Sequence, residues 1–211
     1  MSAAARDAAA GSTTTLLLLR HAAHGLVDRV LCGRMPGVRL GEPGRRQAAA
    51  LAGRMAPERL VAVYASPQMR ARETADVIAA RCGLAVQPCD ALDEIDFGAW
   101  TGRSFEALAD DPHWQRWNGA RAAERPPGGE SMAEAQRRAM RWAEGLPAHH
   151  AGATVAAVSH ADVIKAVLSA VLTLPLDEHW RFEVSPAGVS KVQLRQDGGS
   201  RVLCINEVVA A

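Results

Sequence analysis

Short, uninterrupted apolar runs recur along this chain, each followed by a longer stretch with helical spacing, and that alternation restricts its fold more than any other feature. Residues 15–19, 60–64, 84–87 and 154–158 are strand-like. Helical patterns cover 44–55, 67–81 and 131–146, and a further helix is predicted over 161–172, where Val163, Ile164, Val167, Leu168 and Val171 share one face. Strands that are apolar on both faces belong inside a parallel sheet, because only helices packed above and below can bury them. Residues 188–195 and 201–208 instead flank Asp197-Gly198-Gly199, a hairpin signal, so part of the sheet is expected to be antiparallel. The prediction is a three-layer α/β sandwich with a mainly parallel central sheet. Residues 1–14 are read as a flexible tail and 15–211 as a single domain. Residues 110–129 carry Trp114, Trp117 and the run Arg125-Pro126-Pro127-Gly128-Gly129, and they read as an irregular insertion.

The totals exclude several classes. Apolar residues make up 48% of the 211 positions and charged ones 22%, an ordinary globular balance. A net charge of +1 gives no reason to expect a nucleic-acid or membrane partner. Cys32, Cys82, Cys89 and Cys204 form no C-x-x-C pair and no metal-ligand spacing, so reduced thiols and a cytoplasmic location are expected, with no metal and no cofactor.

Open α/β sheets place their sites at the carboxyl ends of the strands. Arg20-His21 follows the first predicted strand, and Ser66-Pro67 with Arg70 follows the second. Asp93-Glu94 follows the third, and Ser159-His160 follows the fourth, immediately before a helix. Two histidines, two arginines and a carboxylate pair make an anion site with acid–base capacity. A neutral imidazole is a competent nucleophile toward phosphorus. Guanidinium groups match phosphate oxygens bidentately. A helix N-terminus behind His160 adds N–H donors, and a carboxyl group can protonate a departing alkoxide.

These residues sit in blocks that resemble the histidine phosphatase (phosphoglycerate mutase-like) superfamily. Leu19-Arg20-His21-Ala22 is similar to its strand and Arg-His-Gly motif. Cys32-Gly33-Arg34 and Leu40 through Ala48 are similar to the segment that follows. Ser66-Pro67-Gln68-Met69-Arg70-Ala71 with Thr74-Ala75 resembles its Ser-Pro-x-x-Arg-Ala motif. Leu92 through Gly102 looks like the block that holds its general acid. Pro127-Gly128-Gly129-Glu130-Ser131 and Ser159-His160-Ala161 complete the order. The resemblance implies a metal-independent phosphomonoester hydrolase acting on a small phosphorylated substrate. His21 would be the nucleophile, Glu94 the proton donor and later the base, and Arg20, Arg70 and His160 the groups that hold the phosphoryl. Ala161, Cys32 and His24 join the substrate-binding set. The chain departs from the family pattern at Ala22 and Ala161, where glycines are usual, and at Ala23, His24 and Cys32. Those changes spare the phosphoryl clamp and fall on the leaving-group side. A phosphomutase and a non-catalytic phospho-ligand module are the alternatives.

Other residues read as structural. Arg72 and Glu73 are expected on an exposed helix face, Arg137 through Arg141 on a solvated one, and Trp100 in packing. His113, His149, His150 and His179 are expected at the surface. The carboxy-terminal hairpin could form a homodimer contact or simply a sheet edge.

Overall fold

The computed structural model describes residues 13–208. Six strands form one mixed sheet in the order β3-β2-β4-β1-β5-β6: β1 (Thr13–Arg20), β2 (Leu60–Ala65), β3 (Val86–Pro88), β4 (Thr154–Ser159), β5 (Val189–Arg195) and β6 (Arg201–Glu207). The pairs β1/β4, β2/β4 and β2/β3 are parallel, while β1/β5 and β5/β6 are antiparallel. The predicted three-layer α/β architecture is therefore present. Thr13 and Thr14, assigned to the tail by sequence, open β1, and Thr14 is fully buried with its hydroxyl on His150 O at 2.8 Å. The rest of the tail reading lies outside the described residues.

The two faces of β1 show why the sheet sits between helices. Leu17 and Leu19 pack against Ala48, Leu51 and Met55 of α1 (Glu42–Met55) and Ala71, Ala75 and Ile78 of α2 (Met69–Cys82). Leu16 and Leu18 face the other way, onto Ala139, Ala143 and Leu146 of α5 (Met132–His149) and Ile164, Val167 and Leu168 of α6 (Ala161–Val171). Alternate residues of one strand thus serve two cores. The chain leaves β1 toward β2 on one side and returns from β4 through α6 to β5 on the other. The direction of winding reverses between β4 and β1, which places the switch crevice at Arg20 and Ser159, partners in register.

Several boundaries differ from the sequence reading. β3 begins at Val86 because α2 ends on Gly83 (φ 68°), and the Leu84 N–H is used by the cap, donating to Ala79 O at 2.9 Å. Pro88 is tolerated there because β3 is an edge strand. α5 starts with a full capping box between Ser131 and Glu134 and continues to His149.

The segment 110–129 is not wholly irregular. Asp111 caps α4 (Pro112–Gly119) by accepting from His113 N and Trp114 N, and Pro112 suits its first turn. After the short α3 (Phe105–Ala109), α4 brings Trp114 and Trp117 against Phe97 and Trp100, a third core lying over the strand ends. The prolines and glycines act only from 126 to 129. There the Ala99 N–H donates to Pro127 O and the Glu130 N–H to Asp96 O. A side chain on Gly98 would collide with Pro127 O, and one on Gly129 with Asp96 O, so this close strap needs both glycines.

Candidate active site

The reversal crevice holds every group predicted for the phosphoryl end. His21 leaves the end of β1, its N–H donating to Ser159 O, and it is 3% exposed. Nδ1 of His21 lies 2.9 Å from its neighbour's carbonyl, Ala22 O, and so carries the proton. Nε2 is left with its lone pair, and Arg70 Nε donates to it at 3.3 Å. Arg70, 2% exposed in the first turn of α2, also donates through Nη2 to Gly33 O at 2.7 Å and to His160 Nδ1 at 3.1 Å. That acceptor role at Nδ1 leaves the proton of His160 on Nε2, which faces Ser66 Oγ at 2.8 Å. Ser66 in turn donates to Asp93 Oδ1 at 3.0 Å. Burial, then Arg70, hold the pKa of both His21 and His160 well below the usual histidine value, so both rings are neutral bases.

Two donors remain free. Arg20 spends Nη1 on Val184 O at 2.7 Å, but its buried Nε has no partner, and neither does Arg70 Nη1. A buried guanidinium N–H without an acceptor is costly, and both residues line the same cleft of about 150 Å³. Two guanidinium donors converging on one cleft suit an anionic ligand. The first turn of α6, at Ala161 and Asp162, borders that cleft as well.

Glu94 reaches the crevice from the loop after β3. Oε1 accepts from Ile95 N at 2.9 Å, Oε2 lies 3.8 Å from His160 Nδ1, and 12% of the side chain is exposed. Burial and then the negative charge of Asp162 raise its pKa to about 7, against the pull of Arg70 and Arg20. A carboxyl group poised there can give or take a proton near neutrality. Asp93, its neighbour, accepts from Ser66, Gln68 and the Glu94 N–H, so it holds the loop in place and stays clear of the cleft.

A clasp that sequence reasoning missed fixes Glu94 from behind. Arg34 Nε and Arg138 Nη2 both donate to Glu94 O, at 2.8 and 3.2 Å, and Glu130 bridges the two guanidiniums. Arg138 was expected on a solvated helix face; its partners lie far away in sequence, and helical periodicity cannot reveal them. The presence of Arg34 and Glu130 inside the motif blocks was the available signal.

The rest of the cleft is lined by His24, Cys32 and Ala161, together with Val27, Asp28, Val30, Leu31, Phe97 and Phe105, which were not singled out. The His24 ring stacks at 5.4 Å on His21, and burial with Arg70 and Arg20 lowers its pKa to about 4. Neither Ala22 nor Ala161 has positive φ, so alanine costs no backbone strain at these two positions. Arg72 and Glu73 do not line the cleft, but Glu73 is no free surface charge: it ties down Arg39 and the Leu40 N–H. Three of the histidines expected at the surface are engaged. His179 is 9% exposed with Nδ1 on Leu176 O, His150 meets the Tyr64 hydroxyl, and His113 packs edge-on against Trp100.

The chain belongs to the histidine phosphatase superfamily (branch 1), whose pattern matches residues 16–207. It is 38% identical over 203 residues to the bifunctional protein Rv2228c of Mycobacterium tuberculosis, covering 94% of this chain and 55% of that protein. It therefore spans about half the length of that relative. Phosphoserine phosphatase 1 of Hydrogenobacter thermophilus is 31% identical over 159 residues, 74% of this chain and 75% of the relative. Among solved structures, the mycobacterial glucosyl-3-phosphoglycerate phosphatase Rv2419c superposes with a TM-score of 0.82 at 25% identity, covering 92% of this chain and 99% of that one. The relatives and solved neighbours that share this fold include proteins named as phosphatases and as phosphoglycerate mutases.

Proposed function

We propose that the chain is a metal-independent phosphomonoester hydrolase working through a phosphohistidine on His21. The observation that carries this reading is the single lone pair of His21, at Nε2, beside two buried guanidinium N–H groups that lack an acceptor. A bound phosphoryl group supplies that acceptor and sits where Nε2 can reach phosphorus. In the first step Nε2 attacks, the P–O ester bond breaks, and Glu94 protonates the departing oxygen. In the second, Glu94 takes a proton from water, the oxygen attacks phosphorus, and the P–N bond breaks to release inorganic phosphate. Arg20 and Arg70 hold the phosphoryl oxygens throughout, where charge builds in the transition state, and His160 keeps Arg70 in place by accepting from its Nη2. Splitting one displacement into two at a neutral imidazole is the gain.

The test is hydrolysis of p-nitrophenyl phosphate in EDTA, with acid quenching to trap an acid-labile phosphoenzyme, beside the His21→Ala variant. Turnover and a trapped phosphohistidine, both lost in the variant, are expected. Turnover that survives the substitution would mean a different nucleophile.

A further inference from the structure

Beyond the phosphoryl clamp the cleft changes character. Once Arg20 and Arg70 are committed to phosphate, no basic side chain remains among its lining residues, and His24 is neutral. The charges left beside Glu94 are two carboxylates. Asp162 is paired with Arg121, Oδ2 to Nη1 at 3.1 Å, and Asp28 stands exposed at the mouth. The remaining wall is apolar, made by Val27, Val30, Leu31 and Phe105.

This wall is built from two strands of loop that hold each other. Val30 and Ser104 form an antiparallel bridge, Leu31 N donates to Arg103 O, and Phe105 N donates to Arg29 O. A left-handed residue, Asp28 (φ 59°), turns the first strand. Beyond the wall lies a second hollow of about 330 Å³, which shares Asp28, Val30 and Phe105 and adds Arg29, Ser104 and Glu106. Its own charges sum to one guanidinium against two carboxylates.

We propose that this enzyme acts on the phosphomonoester of a long, mostly apolar alcohol with no second anionic group, the body of the alcohol lying along Val27, Val30, Leu31 and Phe105. The proposal rests on the phosphatase reading and names the substrate class that reading leaves open. A compact alcohol with its own carboxylate, such as a phosphoglycerate, would set that charge near Asp28 and Asp162, while the nearest guanidinium, Arg29, lies in the second hollow between Asp28 and Glu106. An uncharged apolar body instead covers the wall and displaces water from it.

The experiment compares 3-phenylpropyl phosphate, ethyl phosphate and 3-phosphoglycerate, all esters of aliphatic alcohols, with the trapped phosphoenzyme from p-nitrophenyl phosphate as the control for the underlying chemistry. The phenylpropyl ester is expected to exceed 3-phosphoglycerate in kcat/KM by at least roughly tenfold. Phe105→Ala should lower the phenylpropyl-to-ethyl ratio by about tenfold. Because both esters are measured on one sample, that ratio does not depend on how much of the variant folds. Asp28→Lys should raise the 3-phosphoglycerate rate relative to the phenylpropyl ester. A wild-type preference for 3-phosphoglycerate, or a ratio that Phe105→Ala leaves unchanged, overturns the proposal while the phosphoenzyme stands. Failure to form the phosphoenzyme removes the phosphatase reading itself, and this inference with it.

Discussion

The two ends of the cleft are built on opposite principles. The phosphoryl end is polar and buried. His21, His160 and Arg70 are each no more than 3% exposed, and every one is held by a strand end, a helix start or another member of the group. The leaving-group end is more open, with an apolar wall and Asp28 exposed at its mouth, and it is carried by the loop 24–31 and by residues 102–105, which lead into α3. Rigid secondary structure fixes the part that every phosphomonoester shares, while loops shape the part that differs between substrates. Damage at the first end should therefore be blind to the alcohol, and damage at the second should not.

The largest effect is expected from His21→Ala, which removes the proposed nucleophile and should cut kcat by at least about 10⁴-fold on every ester. Residual turnover that varied from ester to ester would break the separation between the two ends. Arg70→Ala follows, with a loss of roughly 100- to 1000-fold, again independent of the alcohol. Since Arg70 also touches both histidines, the same variant should raise the pKa of His21, seen as an acid limb moving up in the pH–rate profile.

Glu94 lies where the two ends meet, so its effects should divide. Glu94→Gln should cost roughly 100-fold in kcat/KM on alkyl esters, whose oxygen needs a proton to leave, and far less on p-nitrophenyl phosphate. Its kcat should fall on both, because the water step also loses its base. With its pKa at about 7, the wild-type rate on alkyl esters should fall as pH rises past that value, and the variant should lack this limb. Stability gives an independent check. The carboxyl pKa is raised in the fold above its ordinary value, so ionising it there is penalised. The penalty is absent below the unfolded pKa and complete above the folded one. Glu94→Gln should then be more stable than wild type at pH 8, by a margin on the order of 3 kcal/mol, and show no gain at pH 4, as measured by denaturant unfolding.

The contrast between the ends also explains what could be read from the sequence. Arg20, His21, Arg70 and His160 are local signals, each sitting directly after an apolar run or in the first turn of a patterned helix, so strand-end logic finds them. The leaving-group wall has no such signal. Val27, Leu31 and Phe105 resemble any loop apolar residue until the bridge between Val30 and Ser104 brings their segments together. The Arg34–Glu130–Arg138 clasp was hidden for the same reason: its members are 8 to 104 residues apart, and only the fold closes it. Residues 112–119 form α4 because Asp111-Pro112 is itself a helix start, and the prolines at 126 and 127 interrupt the chain only beyond it.

The smallest effect tests the relay behind His160. Ser66 stands between His160 Nε2 and Asp93, at 2.8 and 3.0 Å, and it does not line the cleft. Ser66→Ala leaves the imidazole N–H without its acceptor in a fully buried place, which costs about one hydrogen bond, or roughly tenfold in rate. The ring is then free to move its proton to Nδ1, where it would face Arg70 instead of accepting from it. This is a positioning effect, so kcat should fall by the same factor for phenylpropyl, ethyl and p-nitrophenyl phosphate, and Ser66→Thr should restore most of it. A loss confined to one alcohol would show that the relay reaches the leaving group, and the division of the cleft into two independent ends would then fail.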